Sequence, residues 1–321
     1  MHQRLLGFRS QAGASFYKNS SGKAHLVKRG GSSQGPSFLY STPSKIESGI
    51  FAYYTLIHCD VENQDRKGVK YMPNWVASHA IFEGPMETLK KIYGRCDAAG
   101  GFSFKTFIPV PEALYATKSP CDIQAAAFVW SKDHPLDSVP SVKIMQAFDS
   151  LVGWTEEIER GKKYYEELKN DENYSTATQF VEEGRRLIEN VNKYGYPTWY
   201  EWCCVNWGTK WDVSEEDVTF DAPSPVGDSG AGKTDLYINT AWSCPLPVFE
   251  TISKQYPDIT ITCDFADEDI GNNCGSFTTT NGITAFVDRT GDIVFACGIW
   301  DEDPDEYITE QEEDEDDDLP I

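Results

Sequence analysis

One arrangement occurs twice in this chain: an alternating apolar run, a helix opened by proline, and a second extended run. Along residues 74–83, Trp75, Ala77, His79 and Ile81 alternate with Val76, Ser78, Ala80 and Phe82. A two-residue period of this kind is that of a strand with two distinct faces. Gly84-Pro85 then opens a helix, and Met86, Leu89, Ile92, Tyr93 and Cys96 give it a single apolar stripe. Gly100-Gly101 stops it, and 102–108 reads as a second strand, ended by Pro109 and Pro111. In the second round, 236–243 is a strand, and Pro245-Leu246-Pro247 opens a helix through Val248, Phe249, Ile252 and Tyr256. A strand at 259–265 follows. Asn281-Gly282 signals a hairpin into 283–287, and 288–292 turns the chain into a last strand at 293–297. Residues 198–205 also read as a strand.

Between the two rounds, residues 140–195 read as a helical insertion. Trp154, Ile158, Tyr165 and Leu168 form one stripe, and Phe180, Leu187, Ile188 and Val191 another. Glu156/Arg160, Glu159/Lys163, Glu182/Arg186 and Glu189/Lys193 are i,i+4 pairs with the acid first, which is a solvated-face pattern. Two β-α-β units in one sheet make an α+β chain with the split arrangement of a ferredoxin-like fold, here with a helical insertion and an added β-hairpin.

Charge divides the chain differently. Residues 1–50 carry seven bases against Glu47, and the run from Gly30 to Pro36 is rich in Ser and Gly. This basic stretch, taken with the residues up to 71, is expected to be an arm ahead of the domain at 72–300. Residues 301–321 carry thirteen acids and no base, and are expected to form a disordered acidic tail. With a net charge of −23 overall, the 250 residues between still carry −16. A surface of that sign repels phosphate and argues against direct nucleic-acid binding.

The nine cysteines, Cys59, Cys96, Cys121, Cys203, Cys204, Cys244, Cys263, Cys274 and Cys297, are odd in number and include no C-x-x-C. They are expected to be buried thiols, and with the scattered histidines they indicate no metal and no cofactor. No secretory core and no run of about 20 apolar residues is found, so a cytoplasmic protein off the membrane is expected.

Met72-Pro73-Asn74-Trp75, then Gly84-Pro85, then Phe104 with Ile108-Pro109-Val110-Pro111-Glu112 resembles the start of the YubB ferredoxin-like family. So does Asn206-Trp207-Gly208-Thr209-Lys210-Trp211-Asp212 followed by Thr240-Ala241-Trp242-Ser243. The likeness spans roughly 72–300. It implies a ferredoxin-like fold and an origin in phages, plasmids or related mobile elements, and it implies no reaction.

Three motifs bear on chemistry. Gly227 to Thr234 fits G-x-x-x-x-G-K-[ST], which makes Lys233 and Thr234 candidate nucleotide ligands. Pro223 and Pro225 precede it and a strand follows it, whereas a phosphate loop joins a strand to a helix. Trp199, Tyr200, Trp202, Trp207 and Trp211 cluster, and on a ferredoxin-like sheet such aromatics can stack unpaired bases. Acids outnumber bases around them, so core packing is the expected role, with Asn206, Thr209, Lys210 and Asp212 pinning a turn. Asp264, Asp267, Glu268 and Asp269 lack the offsets of a calcium loop. Together with Glu312, Glu313, Asp314, Glu315 and Asp316 they are the candidate partner-binding residues. The expected role is that of a non-enzymatic acidic protein covering a basic surface on a host protein that acts on nucleic acid, in effect an inhibitor of a defence protein. A single-stranded nucleic-acid binder and a nucleotide-dependent enzyme are the alternatives.

Overall fold

The computed structural model describes residues 15–18, 24–27 and 73–308, save 136–137, 139, 149–152 and 171–173. Two units result. In the first, strands β1 (Ser15–Lys18) and β2 (Ala24–Val27) form an antiparallel hairpin. The remaining basic arm and residues 309–321, including Glu312 to Asp316, lie outside the described residues.

The second unit holds the sheet. Strand β3 (Trp75–Pro85) leads into helix α1 (Met86–Ala98). A long helical excursion follows: α2 (Phe104–Phe107), α3 (Glu112–Tyr115), α4 (Ile123–Asp133), α5 (Val142–Ala147), α6 (Trp154–Asn170), α7 (Tyr174–Tyr194) and α8 (Trp199–Asn206). The chain returns through β4 (Val218–Phe220), β5 (Ser224–Val226), β6 (Ala231–Ala241), α9 (Leu246–Gln255), β7 (Thr260–Asp267), β8 (Gly275–Thr280), β9 (Ile283–Asp288) and α10 (Ile293–Trp300).

Strand order is β4-β6-β3-β7-β8-β9, with every neighbouring pair antiparallel and β5 also on β6. Since β3 is antiparallel to both β6 and β7, those two run parallel with β3 between them, joined by α9. By the same reasoning β3 and β4 run parallel with β6 between them. These two split β-α-β units make the ferredoxin-like arrangement, and β8 and β9 widen it by a hairpin. Asn281 (φ 51°) and Gly282 (φ 73°) make its turn, the left-handed pair that a two-residue hairpin loop requires.

Three expected strands are helices, each for a local or distant reason. Residues 104–107 form a helical turn because the Asp212 carboxylate caps it, accepting from the Ser103 hydroxyl at 2.6 Å and the Phe104 amide at 2.7 Å. The second strand of the first unit is therefore β4, more than a hundred residues later. Residues 199–206 are helical because Thr198 and Glu201 form a capping box. Residues 293–300 are helical because Asp292 caps the Phe295 amide at 3.1 Å, and Ala296 packs with Ala266 of β7 and Cys274. The insertion also starts earlier than residue 140. Helix α4 is opened by the Asp122 carboxylate, which accepts from the Ala125 amide at 2.9 Å, and its Ala126, Ala127 and Trp130 share a core with Trp154, Ile158, Leu187 and Val191.

One face of the sheet is buried. Val76, Ala80, Phe82, Leu236, Ile261, Cys263 and Phe277 meet Leu89 and Ile92 of α1 and Val248, Phe249 and Ile252 of α9. Pairing places Ala77, His79 and Ile81 on the opposite face, beside Asp235, Tyr237 and Asn239 of β6.

Candidate functional site

The Asn206 to Asp212 motif is a structural clamp. Trp207 is buried between Trp202 and Phe104 and donates its indole N–H to the Ile108 carbonyl at 2.9 Å. Thr209 donates to the Ala241 carbonyl at 2.7 Å, and Asn206 to that of Trp202 at 2.8 Å. Lys105 lies 3.6 Å from Asp212, inside an open cleft of ≈ 800 Å³ between 99–106 and 212–220 that Glu215 also lines. The aromatic cluster stands on α8 and the turn after it and not on the strands, and its Trp202 and Trp207 lie in the core beneath the sheet, the packing role expected of them. Lys210 covers the Trp211 ring at 4.9 Å.

The segment from Gly227 to Thr234 is a β5–β6 turn running into β6. No helix follows it in the chain, whereas a phosphate loop runs from a strand straight into a helix. Lys233 and Thr234 point to opposite faces: Lys233 pairs with Asp235 at 3.4 Å, and the buried Thr234 hydroxyl donates to the Asp221 carbonyl. Lys233 and Thr234 therefore stand in β6 and not at the head of a helix, as the prolines before the motif and the strand after it imply.

A polar group that the alternation contains but does not announce lies on the open sheet face. His79 Nε2 sits 3.0 Å from Asp235 Oδ1, and the His79 ring stacks on Tyr237 with centroids 4.2 Å apart. Burial raises the Asp235 pKa, but hydrogen bonds from His79 and Lys233 outweigh it and hold that carboxyl below the usual range. Thr260/Thr280 and Thr262/Thr278 hydroxyl pairs continue this face across β7 and β8.

The acids separate into distinct roles. Asp267 is buried and organises the β7 end, accepting from Asn74 (3.4 Å), Asn273 (3.3 Å) and the Asp269 amide (2.9 Å). Burial raises its pKa despite those bonds. Asp264 is exposed on the open face, whereas Glu268 and Asp269 project from the loop beyond β7. Trp300 donates its indole N–H to the Ala266 and Asp267 carbonyls at 3.2 and 3.0 Å, which sets the end of α10 against that loop. Exposed Asp301, Glu302, Asp303, Asp305 and Glu306 follow immediately. The Gly291 amide bonds the Gly271 carbonyl at 2.7 Å and brings the turn after Asp288 to the same corner. Over 264–308 eleven acids face a single base, Arg289, which is itself 3.3 Å from Asp292. Tyr307 registers this environment: its phenol is pushed up to about 12, first by its hydrogen bond to the Glu302 carboxylate.

Among the described residues no group of three or more His, Cys, Asp or Glu could hold a metal, and no helix is long and apolar enough to cross a membrane. Seven of the eight described cysteines are buried, and Cys59 lies outside the described residues. Burial drives the thiols of Cys96 and Cys121 up to about 12 and raises that of Cys203. Since thiolate is the reactive form, iodoacetamide is expected to leave these three unmodified in native protein at pH 8 and to alkylate all of them in urea. Peptide mass mapping reads the difference.

The fold and this surface define a ferredoxin-like α+β protein with an acidic corner at the end of β7. Residues 206–317, about a third of the chain, match the family model for the ferredoxin-like domain in Api92-like protein. The solved structures include a protein api92 from Yersinia pseudotuberculosis, which aligns with 68% of this chain and 99% of its own at 9% identity and a TM-score of 0.30. At that score the fold rests on the strand order and not on the likeness. No curated protein matches the sequence.

Proposed function

We propose that this protein is a non-enzymatic interaction protein of a phage or other mobile element, one that covers a basic surface on a host protein acting on nucleic acid. The mobile-element origin comes from the resemblance to the YubB family. The observation that carries the reading is the corner at the end of β7: Glu268, Asp269, Asp288, Asp301, Glu302, Asp303, Asp305 and Glu306 are all exposed there. These carboxylates are borne by strand ends, short loops, the end of α10 and, for Asp305 and Glu306, a helical turn at 304–308, so part of the negative charge is presented in a fixed pattern. Charges held in place steer association and set its register more than they add affinity.

The test uses the full chain, immobilised in host-cell extract at low salt. A captured protein of net positive charge that handles nucleic acid is expected. Its binding should weaken at least about tenfold between roughly 0.05 and 0.3 M salt, since exposed charges are screened over that range. Added DNA should compete with it. Neutralising Glu268, Asp269, Glu302 and Asp303 to the amides should release the same partner. Capture that ignores salt, DNA and the four amides overturns the reading, as does recovery of no nucleic-acid-handling protein.

A further inference from the structure

Strand β9 ends the sheet, and among the described residues nothing pairs with its outer side. Exposed edges of soluble proteins are usually blunted by lysine, proline or a bulge. This one, Ile-Thr-Ala-Phe-Val-Asp, has no lysine and no proline, and Ile283, Phe286 and Val287 expose 66%, 52% and 52% of their surface. Its two faces differ in chemistry. The register against β8 puts Ile283, Ala285 and Val287 on the open face, opposite Thr280, Thr278 and Ser276. Thr284, Phe286 and Asp288 lie on the helical face, where the Thr284 hydroxyl donates to Glu250 of α9 at 2.7 Å.

We propose that the outer edge of β9 takes up an extended basic segment of the partner by strand addition. The added strand would set apolar side chains beside Ile283, Ala285 and Val287, and Lys or Arg on the face of Glu250 and Asp288. Main-chain bonds supply affinity in this mode, and alternate side chains supply specificity. Charge complementarity selects the occupant. Eleven acids and one base lie between 264 and 308, so the approach to this edge favours a cationic chain. A second copy would bring another −23 to it, and high net charge keeps molecules apart. The inference rests on the proposed function and adds to it the place and mode of binding.

Fluorescence anisotropy with the full chain tests it, using an octapeptide of alternating valine and lysine and a polylysine of equal charge. The Val/Lys peptide is expected to bind at least about tenfold more tightly than polylysine. Ile283→Glu with Val287→Glu should weaken that peptide at least about tenfold, although two added negative charges would strengthen a purely electrostatic attachment. Ile283→Thr with Val287→Thr, which leaves charge unchanged, should weaken it in the same direction, and thermal melting confirms that both variants fold. Equal binding of the two probes, untouched by either double variant, overturns strand addition and leaves the anionic reading standing. Binding of neither probe overturns both. Concentration-dependent dimerisation abolished by the glutamate pair, with no peptide bound, makes a second copy the occupant and overturns the proposal.

Discussion

Trp207→Ala is expected to destabilise the protein by about 3–5 kcal/mol. The side chain is 2% exposed and packs between Phe104 at 5.7 Å and Trp202 at 5.8 Å. Truncation leaves a cavity where the helical insertion rejoins the sheet core. It also removes the donor of the Ile108 carbonyl. Trp207→Phe should recover most of the packing and still cost about 1–3 kcal/mol for the unpaired carbonyl. Urea midpoints measure both, at an unchanged slope. Two variants that unfold with the wild type would show that this motif does not clamp the core.

Gly184→Leu is expected to cost about 3 kcal/mol or more, because the helices there leave no room for a side chain. A Cβ on Gly184 would stand 2.1 Å from the Ala125 carbonyl oxygen and 2.8 Å from Val129 Cγ2, so α7 must move away from α4. The damage should stay local. Trp130, Trp154, Leu187 and Val191 form a core separate from that beneath the sheet. Native-state hydrogen exchange should therefore show protection lost in α4, α6 and α7 and retained in β3, β6 and β7. Uniform loss across both regions, or a stability equal to wild type, would contradict this packing.

The readable parts of the fold are those with a local cause. Trp75 to Phe82 alternate, Pro85 stands at the start of α1, and Asn281-Gly282 specifies its hairpin turn. The three misassigned strands share another property: each is a short aromatic or β-branched run whose helical state depends on a cap. For α8 the signal was present, since Thr198 and Glu201 stand three apart, but the aromatic residues outweighed it. For α2 it was not, because the capping Asp212 lies more than a hundred residues away. At the candidate surface, Glu268 and Asp269 are exposed as expected, whereas Asp267 spends its carboxylate on Asn74, Asn273 and the Asp269 amide. His79, Asp235 and Tyr237 are not legible as a group in the sequence, because a histidine in an alternating run looks like any half-exposed strand residue. Only pairing with β6 supplies its neighbours.

The sequence alone determined the periodicities, the amphipathic stripes of α1 and α9, the hairpin and the excess of acid, because each depends on residues within a few positions of one another or on a count. The tertiary structure decided which strand lies beside which. It placed β3 between β6 and β7, left β9 at the rim, and drew the β7 loop, the turn after β9 and the end of α10 to one corner. Strand neighbours come from burying a shared apolar face, and that choice compares segments far apart in the chain, which no local pattern encodes.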